Sequence, residues 1–417
     1  MKIAIIGSGV SGNTLAWHLH QDHDITVFEA GSHIGGHTHT HDIEHFGRSY
    51  SVDTGFIVFN DRTYPNFIAM LEKLGVAWQD SHMSFSVRCE KTGLEYNGTT
   101  LNSLFAQRRN LFRPSFHRMI RDILRFNKEA LELLEEGTEI TLGAYLQQHG
   151  YSQQFTDHYI VPMGAAIWST EPQQMLAFPA RFFVRFFHHH GMLTVNNRPQ
   201  WRTIKGGSAR YVEALTAGFS ERIRLNTPVV KVRRLKDSVE VTPQGGPAER
   251  FDWVFFACHS DQALAMLADP SSAEQQILGA IPYQQNSVFL HHDTRLMPSR
   301  KLAWAAWNYH VPSQPTGKVA VTYNMNILQS LDAPKPLLVT LNHTDEINPA
   351  NVIKRLSYHH PVYTPEGTVA QSRHHEISGV NRTGYCGAYW RNGFHEDGVV
   401  SALAALEHFR QAQAHVA

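Results

Sequence analysis

Gly7, Gly9 and Gly12 stand at the spacing Gly-x-Gly-x-x-Gly directly after the apolar run Ile3-Ala4-Ile5-Ile6. Residues of this type at this spacing can hold a diphosphate. The first glycine permits a tight turn, the second lets the backbone approach the anion, and the third lets a helix pack on the preceding strand. The start of that helix offers free N–H groups and partial positive charge to the phosphates. Glu29 follows about 20 positions on, where a carboxylate accepts hydrogen bonds from a ribose diol. The chemistry indicated is dinucleotide binding.

The elements that must carry these residues are legible. Ile3 to Ile6 reads as a parallel strand covered on both faces. Leu15, Ala16 and Leu19 recur at helical spacing, and Ile25-Thr26-Val27-Phe28 reads as a second strand ending in Glu29. The opening apolar run stops at Gly7, too soon for a secretion signal. With 417 residues the chain is expected to form two or three domains, and 42% hydrophobic with 18% charged residues is ordinary for a soluble globular protein. Lys+Arg and Asp+Glu are both 37, so no net charge draws nucleic acid. No apolar stretch reaches the roughly 18–20 residues needed to cross a bilayer. Cys89, Cys258 and Cys386 are an odd, scattered set, which points to a reducing, cytoplasmic setting. The 27 histidines include His37-x-His39-x-His41 and His188-His189-His190, but neither cluster has the spacing of a helical metal site, and no metal is expected.

After Glu29 come Ala30-Gly31-Ser32-His33-Ile34-Gly35-Gly36-His37-Thr38 and then Val52-Asp53-Thr54-Gly55-Phe56. Here the sequence resembles the flavin-containing amine oxidase superfamily, and the resemblance implies FAD. It places Gly7, Gly9, Ser11, Gly12, Glu29, Ala30, Gly36, His37, Thr38, Thr54, Gly55 and Phe56 at the cofactor. His37 stands where the family usually has an arginine at the diphosphate. Leu225 to Val232 and Trp253 to Cys258 look like the returning strands of the FAD domain, with Val229 at the adenine edge. Near the C-terminus, Gly393-Phe394-His395-Glu396-Asp397-Gly398 and the helix-like run from Val399 to Phe409 resemble the family's second helix dipole, aimed at the flavin ring. The resemblance implies that the backbone of Gly398 and Val399 faces the ring; beside it, Glu396 and Asp397 read as orienting the cofactor chain, and His395 reads either as seating the cofactor or, as the candidate catalytic group, exchanging a proton. Phe56-Ile57-Val58-Phe59-Asn60, Tyr64-Pro65, His291-His292-Asp293 and Met297-Pro298 are similar to a bacterial subgroup related to the flavin domain of some plant cyclopropane fatty-acid synthases.

The fold expected is α/β: a Rossmann-type FAD-binding domain assembled from 1–65, 200–275 and 375–417, with an interleaved α+β substrate domain from 66–199 and 276–374. Between Tyr64 and Trp201 the reading is mostly helical. From Ser287 to Leu341 short strands predominate, and Trp304, Trp307, Tyr323 and Asn324 are candidate substrate contacts. Arg108 to Arg125 interleaves arginines with Met119, Ile120, Ile123, Leu124 and Phe126, a composition that suits either an interfacial helix or a helix packed on its own domain with solvated arginines. Phe182 to Phe187 reads as an aromatic core helix, with an acyl tunnel as the alternative. The function expected is an FAD-dependent oxidoreductase that oxidises, desaturates or isomerises an unsaturated or branched fatty-acyl chain by hydride transfer to flavin. Alternatives are a flavin amine oxidase or polyene desaturase, or a non-catalytic flavoprotein partner of a lipid methyltransferase. A peripheral contact at the inner membrane surface goes with the acyl reading.

Overall fold

The structure, a computed structural model, describes residues 1–135, 140–169, 171–196, 198–314 and 317–414. Residues 415–417, the end of the expected third FAD segment, lie outside the described residues. Lys2–Ile6 is the central strand of a five-stranded parallel sheet, between Asp24–Phe28 and Trp253–Phe256, with Ile223–Arg224 and Thr383–Tyr385 at the edges. Ile3, Ala4 and Ile5 are completely buried. Because alternate residues of a strand face opposite sides, Ile3 and Ile5 pack with Leu15 of the helix Val10–Leu19 and Phe409 of the helix His395–Ala414. Ala4 and Ile6 pack on the other side with Val232, Val241 and Phe251, which belong to an antiparallel sheet of Val229–Arg234, Val239–Pro243 and Glu249–Phe251. The parallel sheet thus draws its strands from the beginning, middle and end of the chain.

The interleaved unit is built on a seven-stranded mixed sheet in the order Val352–Pro361, Tyr283–His291, Leu338–Leu341, Ala320–Asn324, Trp307–Val311, Phe85–Cys89 and Leu94–Asn97. Neighbours are antiparallel except Trp307–Val311 with Phe85–Cys89. Helices Pro114–Glu129, Leu142–Gln148 and Ala180–His189 contribute to the same core. The two-domain α/β architecture is the one the sequence predicts.

Two local readings hold and gain detail: Tyr64 to Trp201 is mostly helical, and the arginine-rich helix packs on its own domain. The stretch from Tyr64 to Trp201 is not helical throughout, since it holds the strands Trp78–Asp80, Phe85–Cys89 and Leu94–Asn97. All of Leu94–Asn97 is buried, Glu95 and Asn97 included, so polar side chains there hide the strand from a hydrophobic pattern. Second, the helix Pro114–Glu129 buries Phe116, Met119 and Phe126 in its own domain. Those apolar residues are therefore not available to lipid. Leu124 of this helix is 54% exposed, and before the helix Leu101, Leu111 and Phe112 have exposures of 77%, 45% and 86%. Phe182, Phe183, Phe186 and Phe187 are all buried, as a core helix requires.

Candidate active site

A cavity of about 1220 Å³ opens between the carboxyl ends of the parallel strands and the seven-stranded sheet. Open parallel sheets bind ligands at those strand ends, and single-ligand pockets usually hold 300–1,000 Å³, so this one has room for a cofactor and a second molecule. Its dinucleotide end is lined by Gly7, Gly9, Ser11, Glu29, Ala30, Gly36, His37, Thr54, Gly55, Phe56 and Val229.

The glycine turn is built as the sequence requires. Gly7 has φ +106°, a left-handed conformation that favours glycine, and a Cβ there would meet Ala257 O at 2.6 Å. A Cβ on Gly12 would lie 2.0 Å from Gly7 O, so this glycine lets the helix close onto the strand and does not itself line the cavity. Gly9 is different, because a Cβ there meets nothing within 4 Å: its open side is the cavity. Glu29 is oriented by three donors, with Ser8 N and Ser8 Oγ on one oxygen at 2.8 and 2.6 Å and Gly31 N on the other at 2.7 Å. Asp53 stands behind the site and accepts from Thr40 Oγ1, Ser208 N and Oγ, and Gln329 Nε2, tying the Gly206-Gly207-Ser208 turn to the cofactor loop. Burial raises its carboxyl to about 6.

At the other end of the expected cofactor, His395 lines the cavity with its ring stacked on Phe56 at 3.6 Å. Its Nε2 lies 2.8 Å from Tyr211 Oη and 3.0 Å from Thr38 Oγ1. Burial, reinforced by His37, lowers its pKa to about 3 and holds the imidazole neutral. Thr38 therefore reaches the site through His395, not from the cavity wall. The next four residues turn away from it. Glu396 accepts from Asn66 N, Asn66 Nδ2 and Phe67 N, capping the helix Pro65–Leu74. Asp397 accepts from Phe394 N. Gly398 already donates its N–H to Phe394 O, and a Cβ on it would meet Val10 Cγ1 at 2.5 Å, so its smallness serves helix contact. Val399 is buried among Phe56, Phe67 and Tyr211. The first-turn carboxylates of this helix are spent on helix ends and turns.

The remainder of the cavity is mostly apolar, with Tyr159, Met163, Ile167, Trp168, Phe186 and Leu341 among its walls and Ser81, Ser84, Thr99, Ser169, His190 and Gln200 as polar members. Trp307 and Tyr323 join them as cross-strand partners whose rings meet edge to face at 5.2 Å. Asn324, one residue further along its strand, alternates to the other side and is buried off the cavity. Trp304 lies before its strand and donates Nε1 to Pro298 O at 2.7 Å, also off the cavity. Among the described lining residues, Glu29 is the only carboxylate and Arg198 the only Lys or Arg.

Sequence reasoning missed a second wall of the dinucleotide end: His259, Tyr283, Tyr358, His359 and His360. His259 directly follows the strand Trp253–Phe256 and Ala257-Cys258, a position that the parallel topology brings beside Gly7. That adjacency was the available signal. The pair His359-His360 arrives from the edge strand of the other sheet, which no local pattern announces.

The family described as flavin containing amine oxidoreductase matches residues 10–347. A curated Mycobacterium tuberculosis protein, AofH, named as a flavin-containing monoamine oxidase, is 25% identical over 280 residues, 65% of this chain; the match spans only 59% of that relative's length. Cyclohexylamine oxidase from Brevibacterium oxydans superposes with a TM-score of 0.70 at 14% identity, covering 99% of each chain. A fatty acid isomerase from P. acnes that produces CLA superposes at 0.63 and 15% identity, covering 98% of each. These two likenesses show the fold. FAD, the cofactor the family implies, fits the residues present: an open face at Gly9, an oriented Glu29, a buried imidazole edge at His37 Nε2 that has no hydrogen-bond partner, and a cavity of sufficient size. The family match covers well over half of the chain, and the chain belongs to the flavin containing amine oxidoreductase family.

Proposed function

We propose that this protein is an FAD-dependent oxidoreductase acting on an apolar acyl chain, an unsaturated or branched one, and not on a small cationic amine. The observation that carries this reading is the lining beyond the cofactor end, which is mostly apolar and aromatic and among the described residues offers no carboxylate to an ammonium group. Bound FAD supplies a two-electron acceptor. The chain's own residues do the rest. Glu29 and the glycine turn hold the nucleotide end. His395, neutral and fixed by Tyr211 and Thr38, presents a polar but uncharged edge between cofactor and substrate space. Trp307, Tyr323, Trp168 and Phe186 exclude water and align the chain. Likeness to the P. acnes isomerase is compatible with this reading, and the name of AofH favours the amine alternative.

A lipid surface fits the same reading. Gly98 and Thr99 line the cavity, and Leu101 follows them directly on the exterior. Leu101, Leu111 and Phe112 together with the exposed Arg108, Arg109 and Arg118 form an apolar patch with a basic rim, suited to an anionic bilayer. No helix among the described residues is long and apolar enough to cross a membrane. Anaerobic titration of the yellow protein tests the substrate class. Bleaching by phospholipid-bound unsaturated or methylated acyl chains, but not by simple amines, is the expected outcome. Bleaching by amines alone rejects the acyl reading, and no bleaching by either class favours the non-catalytic flavoprotein. Vesicles containing anionic lipid should bind the native protein more tightly than the Leu101→Ser, Phe112→Ser variant, and equal binding rejects the patch.

A further inference from the structure

A dinucleotide diphosphate is doubly negative, yet no Lys or Arg lines that end of the cavity among the described residues; Arg198 lies in the apolar part, near Tyr159. What stands there instead is imidazole. His37 follows Gly36, whose Cβ would come within 3.1 Å of Gly9 Cα, so it rises beside the glycine turn. Its ring centroid lies 6.4 Å from that of His259 and 5.4 Å from that of His360. His259 is braced by stacking on Tyr283 at 4.1 Å, and His360 Nδ1 by Asn286 Nδ2 at 3.2 Å. Three separate elements thus deliver three oriented imidazoles to one wall, and His37 Nε2 is left without a partner.

We propose that His37 clamps the FAD diphosphate as an imidazolium, taking up a proton when the cofactor binds and replacing the cation that the lining lacks, while His259 and His360 stand beside it as neutral N–H donors. Without the anion these rings are neutral: burial lowers His37 to about 4, and His259 and His360 to about 3. The groups facing them are the imidazoles of His33, His359 and His395, the backbone of His359, which hydrogen-bonds His37, the phenols of Tyr283 and Tyr358, the Cys258 thiol and the carboxylate of Glu29. The histidines repel added charge, so a protonated clamp needs the phosphates. Linkage then requires affinity to fall as pH rises from the free toward the bound pKa of His37, by up to about tenfold per pH unit for the one proton taken up.

The test follows release of FAD from the holoprotein by flavin fluorescence, independent of turnover. The dissociation constant is expected to rise at least about tenfold between pH about 5 and about 8, with proton uptake in calorimetry when FAD is added back. His37→Arg should flatten that dependence, and the His259→Ala, His360→Ala double variant should weaken binding alike at low and high pH while leaving the dependence in place. A pH-independent dissociation constant in the native protein, or a His37→Arg variant as pH-sensitive as native, overturns the proposal. Should the variants fail to fold, proton uptake by the native protein alone decides: none means no clamp.

Discussion

At the scale of single residues, two glycines of one turn separate binding from folding. Gly9 adopts an extended conformation, φ −68° and ψ −178°, that any side chain tolerates, and its open side is the cavity. Gly9→Val should therefore give a folded protein that retains no flavin, checked by circular dichroism and by the 450 nm absorbance per mole of protein. Gly12→Ala should instead fail to fold, because its Cβ would overlap Gly7 O, a backbone atom with nowhere to retreat. Flavin retained by Gly9→Val would move the diphosphate away from this turn. The carboxylate of Glu396 makes the complementary case. It holds three donors at the start of Pro65–Leu74, so Glu396→Ala should cost about 1–3 kcal/mol of stability in denaturant unfolding, while flavin content in the folded protein stays the same.

At the scale of elements, what could be read from sequence depended on how local the signal was. Ile3 to Ile6, the glycine turn, the helix after it and Glu29 lie within 30 consecutive residues and obey spacing rules, so both the strand and its cofactor role were legible. The C-terminal helix is legible from Val399 to Phe409, but it begins earlier, at His395, and its carboxylates Glu396 and Asp397 are engaged by Asn66, Phe67 and Phe394. A sequence shows that a carboxylate sits in a first turn; only the tertiary structure shows that Asn66 and Phe67 are waiting for it. Trp307 and Tyr323 against Asn324 make the same point through alternation: register, set by the partner strand, decides which of two neighbours faces the cavity. His259 and His360 were invisible because their meeting with His37 joins a strand end, an edge strand and a loop. The apolar face of Pro114–Glu129 was a fair candidate for lipid by composition, and it is the domain's own core that claims it.

Across the whole molecule, the number of buried neutral histidines has a thermodynamic sign. His190, His291, His374 and His395 all have pKa values lowered to between about 3 and about 4, chiefly by burial. The unfolded chain binds protons at these sites below about 6.5 while the folded chain does not, so stability is complete above that pH and is lost as pH falls below it. The flavin-free protein should accordingly melt several degrees lower at pH about 5.5 than at about 7.5; an equal or higher melting temperature at the lower pH would show that these rings are not neutral in the fold. One contact described above also bears on how the protein is made. Ser11 Oγ, in the first turn of the glycine-loop helix, donates to Gly398 O at 2.9 Å, a partner 387 positions away. A nascent chain still lacking its final helix exposes that surface to solvent, with the strand Thr383–Tyr385 also missing from the sheet. The cofactor seat should therefore close only after residue 398 is free to fold, and chains ended short of Gly398 should be colourless, as read by their 450 nm absorbance.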